Sequence, residues 1–221
     1  MVPRAGPVAE LRFAVESAQP LEYAAVPTLI FGLRIEAPEG LPVRSVTLDT
    51  QIRIASTRRS YDGGEQERLV ELFGAPEQWA RSLQSLHWTN LVMHVPGFSG
   101  STLVDLAVPC SSDFELTAGR YFGALEHGEA ALEFLFSGTV FYAGADGRLQ
   151  VARIGWDKDA EFRLPVAAWR DLMQRHYPDA QWLRLRRSAF DRLQGYKARH
   201  TLLSFEDALD ALLDRAERDG A

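Results

Sequence analysis

The segment from Glu129 to Pro165, EAALEFLFSGTVFYAGADGRLQVARIGWDKDAEFRLP, constrains the fold more than any other. Leu132, Phe134, Phe136, Val140 and Tyr142 share one parity. Side chains of a strand alternate between its faces, so these five line one face. Gly144-Ala145-Asp146-Gly147 follows, with residues that tolerate positive φ, and then a second β-rich run from Leu149 to Trp156. The pattern predicts a long hairpin with a short glycine-bearing loop.

Three earlier runs alternate in the same way. They are Leu11, Phe13 and Val15, then Leu29, Phe31, Leu33 and Ile35, then Val46, Leu48, Thr50, Ile52 and Ile54. Pro20 is expected to end the first, and Arg34 and Glu36 point to a wet outer face on the second. Turn residues Ala37-Pro-Glu-Gly40 separate the second from the third. Alternation between turns argues for antiparallel sheets with one covered face. Leu86–Val95 and Ser99–Pro109 return to β character, residues 113–116 are a short strand candidate, and Glu161–Leu164 add a last one. Eight or nine strands suit a two-sheet sandwich. A helical insertion near residues 65–84 interrupts them, after the polar loop Thr57–Gly64, and Tyr121–Leu125 form a helical turn.

After Pro165 the period changes. Trp169, Leu172, Met173 and His176 fall on one helical face, and Pro178 stops that helix. A second helix follows, with Ser188 as candidate N-cap and Ala189, Leu193, Tyr196 and His200 along one side. Ser204 and Asp207 have capping-box spacing before a wide stripe of Phe205, Ala208, Leu209, Leu212, Leu213 and Ala216. The expected architecture is therefore α+β. A flexible arm at 1–7 precedes an antiparallel sandwich-like domain at 8–164, and about three helices at 165–221 pack on it.

Composition narrows the function classes. The net charge of -6 disfavours general nucleic-acid binding. Cys110 is the single cysteine, so an internal disulfide and a cysteine-based zinc site are excluded. No apolar run approaches the roughly 18 residues a membrane span needs, and Met1–Pro20 lacks the apolar segment of a secretory signal. A cytoplasmic protein is expected.

Motifs for catalysis are weak. His87 and His94 are seven apart, which in an unbroken strand puts them on opposite faces. Glu126-His127-Gly128 is the best exposed histidine–carboxylate candidate, and Cys110 is either a buried small hydrophobe or a nucleophile needing that histidine. Asp105, Asp113, Glu115 and Glu133 lie on or near β segments, where two across a sheet would suit a glycosidase. Alternation explains them equally as solvent-face charges. No catalytic residue, metal ligand or cofactor is assigned.

Charge segregation is the clearest functional signal. Residues 165–200 hold eight basic residues against three acidic ones, a net +5, while residues 201–221 hold two against six, a net -4. Two helical faces that pair with each other would explain this. A docking surface for an acidic protein partner would also explain it, with Arg184, Arg186 and Arg187 beside Trp182 and Tyr196 as aromatic anchors.

Several stretches carry a resemblance over nearly the full chain. They are Trp79…Leu86-His-Trp88, Val95-Pro-Gly-Phe98, Val108-Pro-Cys-Ser-Ser-Asp-Phe114, Phe134-Leu-Phe-Ser-Gly-Thr-Val-Phe-Tyr142 and Phe162-Arg-Leu-Pro-Val166…Trp169-Arg…Met173…Tyr177-Pro178. In these the chain resembles an uncharacterised bacterial family, often encoded beside uptake nickel–iron hydrogenases of the actinobacterial type. The resemblance implies a non-enzymatic accessory or assembly role for such an enzyme, with hydrogenase subunits or maturation factors as partners. It brings no catalytic residues. Two other readings stay open. One is a small-molecule or carbohydrate-active sandwich using Trp88, Phe98 and Trp156, and the other is a structural homo-oligomeric subunit.

Overall fold

The computed structural model describes residues 10–110, 116–144, 146–178 and 185–220. Its strands form two antiparallel sheets. One holds β1 (Arg12–Pro20), β2 (Thr28–Glu36) and β5 (Ser101–Pro109) in the order β1-β2-β5. The other holds β3 (Val43–Ile54), β4 (Leu86–Phe98), β6 (Glu129–Ala143), β7 (Leu149–Arg153) and β8 (Asp159–Pro165). Helices α1 (Gly63–Phe73) and α2 (Trp79–Ser82) lie between β3 and β4, and α3 (Leu116–Ala124) lies between β5 and β6. Then come α4 (Val166–His176), α5 (Arg187–Arg199) and α6 (Phe205–Gly220). The chain forms two compact units, 1–180 and 181–221.

The first unit is a sandwich. Phe31 of the three-stranded sheet meets Phe134 at 5.1 Å and Trp88 at 6.3 Å, both edge-on, from the five-stranded one. Phe13 stacks on Phe136 at 4.4 Å. Leu132, Phe134, Phe136, Val140 and Tyr142 are all buried, as their shared parity predicts. Helix α4 contacts β1, β2, β8 and α3. Its Trp169 stacks on Phe122 of α3 at 5.2 Å, and Leu172 is fully buried.

The long hairpin is divided between two partners. The second half of β6 pairs with β7 through Thr139–Arg153 and Ala143–Leu149, while its first half pairs with β8 from Glu129–Pro165 to Leu135–Asp159. Gly138 sits near the change. Its φ is +134°, and a Cβ there would stand 2.1 Å from the carbonyl oxygen of Thr47. Only glycine lets β3 and β6 approach so closely.

Pro20 is the last residue of β1, as expected of a residue without an N–H donor. Two local expectations are corrected. The outer face of β2 is wet only at its end, where Arg34 is half-exposed and Glu36 exposed; Thr28 and Ile30 are buried, and α4 contacts β1 and β2. His87 and His94 are both exposed. A bulge where Ile52 pairs with Thr89 and Arg53 with His87 shifts the parity of β4. Of the strand candidate at 113–116, residues 113–115 lie outside the described residues, and Leu116 opens α3.

In the second unit, α6 begins with the expected cap. The Ser204 hydroxyl accepts from the Asp207 amide at 2.9 Å, and the Asp207 carboxylate accepts from the Ser204 amide at 2.8 Å. Ser188 does not cap α5. The helix starts at Arg187 with Arg186 as its N-cap residue, so Ser188 lies inside the first turn.

Candidate functional site

The polar loop Thr57–Gly64 encloses the most buried charge of the first unit. Asp62 caps α1 in a capping box with Glu65, which is 2% exposed. Glu65 also forms an ion pair with Arg59 and accepts the Glu126 amide at 3.0 Å. Arg59 donates through Nη1 to the Glu129 carbonyl at 3.0 Å, while its Nε is buried with no hydrogen-bond partner among the described residues. Beside it Tyr61 donates to the Ser56 carbonyl at 2.7 Å. That uses its only proton, so Tyr121 donates across the 2.8 Å contact between the two hydroxyls. Burial, followed by the neighbouring Tyr121, pushes the Tyr61 phenol up, and burial pushes Tyr121 up as well. Both oxygens of Glu65 are engaged by the chain itself, so this cluster clamps the loop, α1 and the entry to β6 together.

The catalytic candidates are not assembled. Cys110 is fully buried, with Sγ donating to the Val108 carbonyl at 3.6 Å. The His127 side chain is 83% exposed and stands 3.7 Å from Glu126. Asp105 is exposed on β5, and Asp113 and Glu115 lie outside the described residues. Glu133 does meet a carboxylate across the sheet, that of Glu161, and Arg58 bridges the two. Trp88 is a core residue and Trp156 is almost fully exposed, so Trp88, Phe98 and Trp156 do not share one binding face. Among the described residues no group of three or more His, Cys, Asp or Glu is placed to hold a metal ion. No helix among them is long and apolar enough to cross a membrane.

The second unit contains a concave feature whose apolar lining coincides with the charge signal. A groove of about 650 Å³ is lined by Leu193, Tyr196, Leu209 and Leu212, with Arg192 and Arg199 at its border. Tyr196 is half-buried and packs on His200 at 4.3 Å. Arg186 and Arg187 are exposed, and Arg187 pairs with Asp191 one turn along. Trp182 and Arg184 lie outside the described residues. The structure therefore places Tyr196 in the groove and Arg186 and Arg187 at the start of α5. Sequence reasoning missed the groove, although Leu193 and Tyr196 share the helical face it identified.

The sequence profile of a family of unknown function, DUF6084, matches residues 8–221. The chain belongs to that family. No curated protein matches the DUF6084 chain. Among solved structures it is similar to the β-glucosidase of Kluyveromyces marxianus in selenomethionine-labelled form, at 9% identity and a TM-score of 0.24. That match covers 70% of this chain and 15% of the other. The same enzyme in complex with glucose matches at 9% identity and a TM-score of 0.23, covering 71% and 15%. β-Glucosidase 3B of Thermotoga neapolitana in complex with glycerol matches at 11% identity and a TM-score of 0.24, covering 70% and 17%. The chain thus spans less than a fifth of each of these proteins, and likeness at this level carries no argument about activity.

Proposed function

We propose that this DUF6084 protein is a non-enzymatic, cytoplasmic protein-binding factor that engages an acidic partner through the basic side of its C-terminal helical unit. One observation carries this reading: α5 has no buried residue, although it holds Phe190, Leu193 and Tyr196 among its arginines. Phe190 is exposed and Leu193 and Tyr196 are half-buried, and such partly exposed aromatic and apolar side chains among arginines have the composition of an interface core rather than of ordinary surface. The charges of Arg184, Arg186 and Arg187 would steer and orient the partner. The family resemblance supplies the context of an accessory or assembly role for an uptake nickel–iron hydrogenase.

Charge reversal tests this reading. Arg186→Glu with Arg187→Glu is expected to weaken capture of the partner from the native host and to reduce its salt sensitivity. Unchanged capture would remove the proposed surface.

A further inference from the structure

Helices α5 and α6 carry opposite charge and spend little of it on each other: Lys197 of α5 packs over the Phe205 ring of α6 at 5.5 Å and favours the charged Asp207 carboxylate. α5 has four basic residues against one acidic, a net +3, and α6 has two against six, a net -4. The ion pairs of this unit are Arg187–Asp191 and Arg215–Asp219, each within its own helix. Among the described residues no ion pair joins the two helices. Arg192, Arg199, Asp210 and Glu217 are exposed and have no ion-pair partner there.

The apolar stripe between these charges is only partly covered. Phe205 packs on Phe190 of α5 at 5.3 Å and Leu209 is half-buried, but among the described residues of α6 only Ala208 is buried, and Leu212 is 37% and Leu213 60% exposed. The lining of the groove joins this stripe to Leu193 and Tyr196 of α5. The unit thus presents one apolar face with a basic helix on one side and an acidic helix on the other.

We propose that a second copy of this chain covers that face, with α5 of each protomer laid against α6 of the other. A two-fold arrangement of this kind is self-complementary. It buries both apolar stripes in a four-helix arrangement and brings Arg192 and Arg199 of one copy toward Asp210 and Glu217 of the other, on the flank of the stripe. The alternative two-fold pairing, α5 on α5 and α6 on α6, sets like charge against like and is disfavoured. A face two helices wide is at the small end of interface sizes, so the dimer dissociates on dilution. The inference goes beyond the proposed partner binding. Both use Leu193 and Tyr196, so a second copy and the partner compete for this face. The two tests fail separately, because Arg186 and Arg187 are not part of this pairing.

Light scattering of the full chain across a dilution series tests it, with two charge-reversed variants. One is Arg192→Glu with Arg199→Glu, and the other is Asp210→Lys with Glu217→Lys. The unaltered chain is expected at twice the single-chain mass when concentrated. Each variant alone is expected to dissociate at a concentration roughly tenfold higher or more. An equimolar mixture restores the two-chain mass, because the reversed α5 of the first variant meets the reversed α6 of the second, while the unaltered α6 of the first meets the unaltered α5 of the second. Circular dichroism of each variant verifies that the helices remain. A single-chain mass for the unaltered protein at every concentration would overturn the proposal. So would variants that dimerise as before, or a mixture that stays dissociated while both variants keep their helices.

Discussion

The Arg59 guanidinium closes on the Glu65 carboxylate where the Glu65 side chain is 3% exposed. Three further things depend on that carboxylate: the Asp62 amide in the capping box, the Glu126 amide, and the neutralisation of Arg59. Removing one member of a buried pair leaves the other charge uncompensated, so Glu65→Ala is expected to cost about 3–5 kcal/mol. Urea unfolding of the variant measures this. A loss below about 1 kcal/mol would mean that the pair is as dispensable as an exposed one.

The Tyr61–Tyr121 pair fixes a behaviour in alkali. Both phenols are raised, chiefly by burial, so the folded state favours their neutral forms. Their contribution to stability is complete below the ordinary phenol range near 10 and declines as pH rises above it. Tyrosinate absorbance should therefore show a late component that appears together with unfolding. Tyr61→Phe with Tyr121→Phe should remove that component. Ionisation of both while far-ultraviolet circular dichroism is unchanged would contradict the assignment.

Gly138 tests the contact between β3 and β6. Gly138→Ala places a Cβ 2.1 Å from the Thr47 oxygen at a φ of +134°. The unfavourable backbone conformation alone costs on the order of 1–3 kcal/mol, and the clash adds to it. Thermal unfolding should show a clear fall in midpoint, whereas an alanine variant of unchanged stability would rule out this geometry.

The α6 cap gives a local acid response. The Ser204 amide, hydrogen-bonded to Asp207, holds that carboxyl below its ordinary value of 3.8. A depressed pKa stabilises above the ordinary value, and the effect is lost as pH falls through the lowered one. Helicity of the second unit should therefore decline in acid below about pH 4. Ser204→Ala should lower helicity at neutral pH and blunt the acid response, as read by amide hydrogen exchange in α6. Equal protection in both proteins would show that the box does not hold the helix.

The sheets were legible because alternation reports burial directly. The parity of Leu132 to Tyr142 and that of Val46 to Ile54 give the inner faces of β6 and β3. Departures arose where the backbone breaks the period. The β4 bulge turns His87 and His94 to the same exposure, and β6 changes partner from β8 to β7 along its length. The buried clamp was hidden for a different reason. Arg59 and Glu65 lie in a run of polar residues that composition assigns to solvent, and only three-dimensional proximity pairs them. The Asp62…Glu65 spacing of a capping box was present in the sequence, three residues before the helix start assigned from apolar periodicity. For the C-terminal unit, sequence located the opposite charges, but that no ion pair joins the two helices among the described residues required coordinates.

Partner binding by the basic helical unit is the central claim, and affinity capture from the native host followed by mass spectrometry tests it most directly. The tagged chain should be captured with a defined acidic partner at low salt and release it as salt rises, because the rim contacts are screened. Arg186→Glu with Arg187→Glu should release it already at low salt. Recovery of the chain without any partner at low salt, or of a partner indifferent to both salt and charge reversal, would contradict the account.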